Sequence, residues 1–293
     1  MIKLLWNTHN KISLTTNNLN KEDVFEWGLY HKKNSDKWIY FILEKIKFEI
    51  IQSEKDLKNN DILIIIDSSV EKKYELYTRL KLICSKIFLI HLGDEPGQAN
   101  LDLIYSNCNF VWRTFCSRKY FNNDKVSCFP IGYKTGTILK KQIGKRKYKW
   151  AFLGTQHKSS RHDLLFQLSS IEPAYCYKTK KFDAKPIRPN EMSEILSSTE
   201  FVPCPNGFVH PETYRLYEAL ECNCIPIVES TYKYYDRLFP KNPFLKVDKW
   251  MEAKLIVKEW SDTLVKEKQE ECYKWWKDYK EQLQEFIKNK IIK

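Results

Sequence analysis

The stretch that decides the fold is Thr199–Ser230, TEFVPCPNGFVHPETYRLYEALECNCIPIVES. It reads as strand, loop, helix and strand in succession. Phe201-Val202 is a short apolar run that Pro203 and Pro205 stop, and Asn206-Gly207 is a turn pair. Pro211 suits the first helical position, where a missing N–H is not needed, and Glu212 suits the positive end of the helix dipole. Leu216, Ala219 and Leu220 recur at i, i+3, i+4 and make one buried face, while Arg215 and Glu218, three apart, share another. Asn223 can end the helix in the left-handed conformation, and Ile225–Val228 is the second strand. In a parallel sheet this is a βαβ unit with its loop at the carboxyl edge, where ligands bind. The helix start offers free N–H groups to an anion. Arg215 adds a cation and Glu218 an acceptor for hydroxyl groups. The plainer alternative is a surface i, i+3 ion pair worth about 0.2–0.5 kcal/mol.

PNGF at 205–208, followed by R-L-Y-E-A-L-E-C-N-C-I-P-I-V at 215–228, resembles the donor-site signature of exostosin-like glycosyltransferases, near the ribitol xylosyltransferase subset. The resemblance implies an α/β, GT-B-like fold: two Rossmann-like domains facing across a cleft. It implies an inverting glycosyltransferase, hexosyl or pentosyl, with Arg215 on the donor diphosphate, Glu218 on the ribose hydroxyls, and Asn206 and Gly207 in the donor loop. Asn223 departs from the small residue, often glycine, usual at that place.

At 293 residues the chain is long enough for two α/β domains. A hydrophobic content of 43% and an aromatic content of 14% indicate a packed globular protein rather than a disordered one. The net charge of +12 suits an anionic partner, whether nucleic acid, an acidic membrane surface or a phosphorylated small molecule. Nine cysteines are scattered, several in apolar runs (Cys84, Cys128, Cys176), so buried reduced thiols and a reducing, cytoplasmic setting are expected. The opening MIKLLWNTHNKISL turns polar too soon for a signal or anchor. No apolar run approaches the ~20 residues that span a bilayer. Animal exostosin-like enzymes typically carry such an anchor, and this chain departs from them there.

In chain order, strands are expected at Ile2–Trp6, Phe48–Ile51, Asp61–Asp67, Lys86–His91, Phe110–Arg113 and Val126–Pro130. The continuous apolar run between Asp61 and Asp67 fits a central parallel strand buried on both faces. Asn7–Glu22 reads as loop, Asp23 and Glu26 as a capping pair, and Val24–Lys45 and Glu71–Cys84 as helical. Strands alternating with helices indicate a doubly wound sheet. Thr137–Tyr148 is short and basic and reads as a linker between an acceptor-side domain, 1–140, and a donor domain, 141–293. Its Lys140, Lys141, Lys145, Arg146 and Lys147 are solvated or touch phosphates. Beyond it come a strand over Lys149–Gly154, a helix through Leu168 with Ser159 or Ser160 as cap, a strand over Pro173–Tyr177 and a helix over Glu191–Ser198. Tyr232–Phe239 leads into a short helix, and Trp250 onward is largely helical, with Trp260, Leu264, Trp275, Trp276, Tyr279 and Phe286 as its apolar stripe. In GT-B proteins the last helix crosses back to the first domain.

Two further segments carry chemistry. Gly154 ends a strand, and Lys158 and Arg161 open the next helix, an arrangement suited to phosphate but without P-loop spacing. The resemblance places Arg161 at the donor diphosphate. His91-Leu92-Gly93-Asp94-Glu95-Pro96-Gly97 puts two carboxylates after a strand end, and a similar H-L-x-D-E segment occurs in a subset of exostosin-like proteins. Inverting transfer needs a base on the acceptor hydroxyl. Glu95 is favoured, with Asp94 as support, although Pro96 restricts the Glu95 backbone to extended conformations. Cys204, His210, Cys222 and Cys224 lack paired C-x-x-C spacing for zinc, and no motif supports a cysteine nucleophile with His91 or His210. No D-x-D stands in a strand-end loop, so no cofactor and no strict metal requirement are expected. The expected partners are a nucleotide sugar and a glycan, polyol or glycoconjugate acceptor. The alternatives are a basic nucleic-acid or polyanion binder, for which no recognition motif is present, and a catalytically inactive relative.

Overall fold

The computed structural model describes residues 1–7, 27–141, 145–180 and 187–293; the expected Asp23–Glu26 capping pair and most of the first loop lie outside them. The chain divides into two compact units, Met1–Ile131 with Gln284–Lys293, and Gly132–Leu283. The division thus falls ahead of the 140/141 boundary read from the linker, and the end of the chain belongs to the first unit.

The first unit runs β1 (Ile2–Asn7), α1 (Trp27–Leu43), β2 (Glu49–Ile51), β3 (Ile62–Asp67), α2 (Tyr74–Ile83), β4 (Lys86–His91), α3 (Asp102–Tyr105), β5 (Phe110–Arg113) and β6 (Val126–Cys128). The strands form one parallel sheet in the order β2-β1-β3-β4-β5-β6. Leu63–Ile66 of β3 are fully buried, as a two-sided apolar run requires. On one face Leu63, Ile65, Leu89 and Val111 pack with Tyr77 and Leu80 of α2 and Ile104 of α3. β3 ends on Asp67, a fully buried carboxylate. It is satisfied by both contacts of Lys73 Nζ (2.7 and 2.8 Å), by Asn7 Nδ2 (3.1 Å) and by the Ser69 N–H (3.1 Å). Burial pushes its pKa up, and Lys73 pulls it back.

The second unit runs β7 (Tyr148–Thr155), α4 (Arg161–Leu168), β8 (Ala174–Thr179), α5 (Pro189–Ser197), β9 (Thr199–Cys204), α6 (Tyr214–Glu221), β10 (Ile225–Glu229), α7 (Tyr234–Leu238), β11 (Leu245–Val247), α8 (Trp250–Glu259) and α9 (Asp262–Ile292), whose end reaches into the residues of the first unit. Its sheet is also parallel, in the order β11-β10-β9-β7-β8. Trp150, Phe152, Phe201, Ile225 and Ile227 pack against Leu164 and Leu168 of α4 and Trp250, Ala253 and Val257 of α8. In both sheets the first strand lies between the second and the third, so strand order reverses at the β1/β3 and β7/β9 gaps. Ligands of doubly wound folds bind at such carboxyl-edge gaps.

Several local expectations are corrected. α6 begins at Tyr214 after Thr213, so Pro211 and Glu212 belong to the preceding loop. Ser160 precedes α4 without capping it; its hydroxyl bonds the Glu229 carboxylate instead, and Trp250 Nε1 donates to it at 2.8 Å. Arg146 is neither solvated nor turned to phosphate. Its guanidinium donates to the carbonyls of Leu196 (3.3 Å), Thr199 (2.6 Å), Cys222 (3.4 Å) and Asn223 (2.8 Å), collecting the carboxyl ends of α5 and α6 on one cation. Lys145 pairs with Asp262 at 2.7 Å on the surface. Leu264 and Phe286, expected in the apolar stripe, are 50% and 42% exposed, whereas Trp276 is fully buried. The cysteines are not all reduced: Cys116 and Cys128 form a disulfide with Cα atoms 5.2 Å apart, and Cys176 is exposed. No helix among the described residues is long and apolar enough to cross a membrane.

Candidate functional site

The carboxyl-edge gap of the second sheet gathers the strand-end glycine, the start of α4, the loop after β9 and the start of α6. Gly154, one residue before the end of β7, has φ +144, and a Cβ there would lie 2.5 Å from Arg215 Nη2. This backbone conformation favours glycine, and the close approach of Arg215 adds to it. Arg215, in the first turn of α6, lays its guanidinium over the Phe152 ring (4.6 Å to the centroid) and donates from Nη2 to the Leu153 carbonyl at 2.7 Å. Its Nε and Nη1 are buried and have no hydrogen-bond partner. Burial lowers its pKa from the ordinary value, and the nearby Cys204 and Glu218 act in the opposite sense.

Glu218 lies one turn further along α6 and is 6% exposed, with Oε1 buried and unpartnered. Burial raises its carboxyl pKa, opposed first by Lys134 and then by Arg215. Lys134 Nζ sits 5.5 Å from the centroid of the Tyr214 ring, and Tyr214 and Glu218 share a helix face at i, i+4. Arg215 and Glu218 form no ion pair with each other or with any other described residue. The surface-pair alternative therefore fails: the two groups are not paired with each other, and Arg215 Nε and Nη1 and Glu218 Oε1 are buried.

Arg161 opens α4 and is 6% exposed. It donates from Nη1 to the Thr155 carbonyl (2.8 Å) and from Nη2 to the Asn206 carbonyl (3.2 Å), tying the loop after β7 to the loop after β9. The Asn206 side chain donates to Thr231 Oγ1 at 2.9 Å and leaves Oδ1 buried without a partner. The Gly207 N–H bonds the His210 carbonyl at 2.8 Å, closing a turn that carries Phe208 and Val209, 71% and 57% exposed. Lys158 Nζ lies 4.9 Å from the Phe208 ring centroid. Behind the loop Glu212, 2% exposed, accepts from the hydroxyls of Tyr217 and Tyr234, and Tyr235 donates to the Pro211 carbonyl at 2.8 Å. Burial and the Glu212 carboxylate hold both tyrosine hydroxyls well above their ordinary pKa, so they remain donors.

The structure thus brings Gly154, Arg161, Asn206, Gly207, Arg215 and Glu218 to one edge of one sheet. Lys134 and Tyr214 join them and were not singled out from the sequence, where the i, i+4 spacing of Tyr214 and Glu218 was a usable signal; Glu212, read there as a helix-dipole partner, joins them from the loop. Asp94 and Glu95 stand in the first unit, on the loop after β4. Asp94 pairs with buried Arg113 at 2.7 Å, and Glu95 is half-buried. Among the described residues no group of three or more His, Cys, Asp or Glu side chains could hold a metal ion. Cys204, Cys222 and Cys224 are buried thiols, and burial pushes Cys224 to about 11, well away from a reactive thiolate. A cavity of about 430 Å³ opens at the other, amino, edge of the first sheet, but Lys3 and Glu49 in its wall already pair with each other at 2.7 Å.

Two parallel doubly wound sheets, with uncommitted charged groups at a carboxyl-edge gap, define a GT-B-like glycosyltransferase fold. Among solved structures the chain is similar to an α1,3-fucosyltransferase, with a TM-score of 0.53 at 13% identity, covering 100% of this chain and 90% of that one. Residues 129–293, more than half of the chain and including the residues gathered at the edge of the second sheet, match the model of the RXYLT1 C-terminal domain, and the chain belongs to that glycosyltransferase family. No curated protein sequence matches it.

Gly154→Ala is expected to displace Arg215 and destabilise the protein by about 1–3 kcal/mol, through strain and the contact with Nη2. Denaturant midpoints of the two proteins check this; an unchanged midpoint would show that the gap tolerates a Cβ.

Proposed function

We propose that this protein transfers a sugar, with inversion, from a nucleotide-diphosphate sugar to a hydroxyl of a glycan, polyol or glycoconjugate. The observation that carries the reading is the pair of unsatisfied buried groups on α6. Arg215 presents two N–H groups without partners, and Glu218 presents an unpartnered oxygen, at the carboxyl edge of a parallel sheet. Leaving such groups unpaired costs about 1–3 kcal/mol each. A ligand that offers both phosphate oxygens and hydroxyl groups removes that cost. Arg215 then meets the diphosphate and Glu218 the ribose, with Arg161 adding charge from the loop it braces. The family description, RXYLT1, favours a pentosyl donor and a polyol acceptor.

In the transfer, the acceptor oxygen attacks the anomeric carbon, the bond from that carbon to the diphosphate oxygen breaks, and the diphosphate leaves with the electron pair. Glu95 takes the acceptor proton. Asp94 supports it from the same loop. Arg161, Arg215 and the N-terminus of α6 supply the positive charge that the leaving diphosphate needs, so transfer proceeds without a strict need for a divalent metal.

Glu218→Ala and Arg215→Ala should each weaken nucleoside-diphosphate binding by about 1.5–3 kcal/mol, read by titration calorimetry; parent affinity in both would move the site elsewhere. Glu95→Gln should keep nucleotide affinity and lose turnover by roughly 10²–10⁴. If Asp94→Asn collapses turnover while Glu95→Gln keeps it, the two acids exchange roles. Activity should persist in excess chelator, and an activity abolished by chelator and restored by manganese would contradict the metal-independent reading.

A further inference from the structure

The first unit holds a buried chain of four polar side chains, of which the proposed transfer uses only Asp94. Asp94 stands in the left-handed conformation, with φ +57. Its Oδ2 accepts from Arg113 Nη2 at 2.7 Å, and its carbonyl accepts from the same nitrogen at 3.1 Å. The other terminal nitrogen, Nη1, donates to the Tyr105 hydroxyl at 3.0 Å, and that oxygen lies 2.7 Å from His91 Nδ1. Arg113 and His91 are fully buried, and Tyr105 is 4% exposed.

Hydrogen-bond polarity orders this chain. A guanidinium only donates, so the Tyr105 oxygen accepts from Arg113. Burial keeps the phenol protonated well above its ordinary pKa. Its single hydrogen is available to His91 Nδ1, which accepts it where the imidazole carries its proton on Nε2. The relay proposed below takes this arrangement, with the His91 proton on Nε2.

The four residues come from the end of β4, from α3, from the end of β5 and from the loop between them, so the relay locks three elements to one turn. That turn is held at further points. The Gly97 N–H donates to the Asp94 carbonyl at 3.0 Å, and the Gln98 N–H donates to Asp94 Oδ1 at 3.1 Å. A Cβ on Gly93 would lie 2.1 Å from the Ser68 carbonyl oxygen, so the backbone there has no room to move sideways. Glu95 is the residue between these anchors.

We propose that His91, Tyr105, Arg113 and Asp94 form a positioning relay that fixes the 93–97 turn and thereby aims the Glu95 carboxylate. The proposal rests on the assignment of Glu95 as the base. The relay touches no substrate; its effect is on turnover, through the placement of Glu95. Misplacing a reacting group by about 1 Å can cost on the order of a hundredfold in rate.

Tyr105→Phe is the informative variant, since it deletes one hydroxyl and keeps the ring, whereas removing Arg113 would strand a buried Asp94. Nitrogen-15 NMR of the full chain should show His91 as the Nε2–H tautomer, and that preference should be lost in Tyr105→Phe. The same variant should lower kcat by roughly ten- to a hundredfold while KM for the donor and nucleotide affinity stay at parent values. Combined with Glu95→Gln, it should cause little further loss. A Nδ1–H tautomer in the parent, parent kcat in Tyr105→Phe, or a fully multiplicative loss in the double variant would each overturn the relay. Near-parent turnover in Glu95→Gln would instead overturn the base assignment, and the aim of the relay with it.

Discussion

Everything at the site depends on the guanidinium of Arg215 lying flat against the end of β7. The contact needs three things at once: a ring beneath it (Phe152), a carbonyl to accept one N–H (Leu153) and no side chain at Gly154. Together they anchor one nitrogen and leave Nε and Nη1 buried and uncommitted. Arginine is suited to this role because its planar fork stacks and donates simultaneously and stays charged when desolvated. A lysine could supply the charge but not the stacking or the fixed direction.

The surrounding loops are tied by hydrogen bonds that do not involve any ligand. Arg161 stitches the loop after β7 to the loop after β9, and Glu212 pins the latter to Tyr217 and Tyr234. Arg146 collects carbonyls at the far end of α6. The helix that carries Arg215 and Glu218 is therefore braced near both ends by polar contacts, those of Glu212 before it and of Arg146 after it. Arg215 Nε and Nη1 and Glu218 Oε1 on the helix remain without partners, as do Thr213 Oγ1 before it and Asn223 Oδ1 after it. Electrostatic preorganisation of this kind requires a stiff frame, because loose dipoles would reorient toward one another and satisfy themselves.

Much of this was legible from residues alone, and the exceptions have identifiable causes. The central strands Asp61–Asp67 and Lys86–His91 were readable because burial on both faces leaves an unbroken apolar run. The turn at Asn206-Gly207 and the paired spacing of Arg215 and Glu218 marked residues that the fold brings to one sheet edge. β11 and α3, at three and four residues, are too short to show a period. The start of α6 was misplaced because proline at a first helical turn is a local preference, whereas Glu212 is drawn into the core by two tyrosines whose positions no spacing reveals. Arg146 looked like one more cation in a basic linker; the carbonyls it serves come from residues 50 to 77 positions away. The match to the RXYLT1 C-terminal domain spans 129–293, a longer stretch than the motif that first suggested the family.

The Cys116–Cys128 bridge adds a dependence of another kind. It closes a loop of 12 residues between the end of β5 and the end of β6. Closing a loop of that length removes unfolded-state freedom worth about 3 kcal/mol. That is roughly a hundredfold in the ratio of folded to unfolded chains, a large share of the margin of an ordinary domain. The same polypeptide made under reducing and under oxidising conditions would therefore be two materials with different lifetimes. The second unit contains neither of these two cysteines.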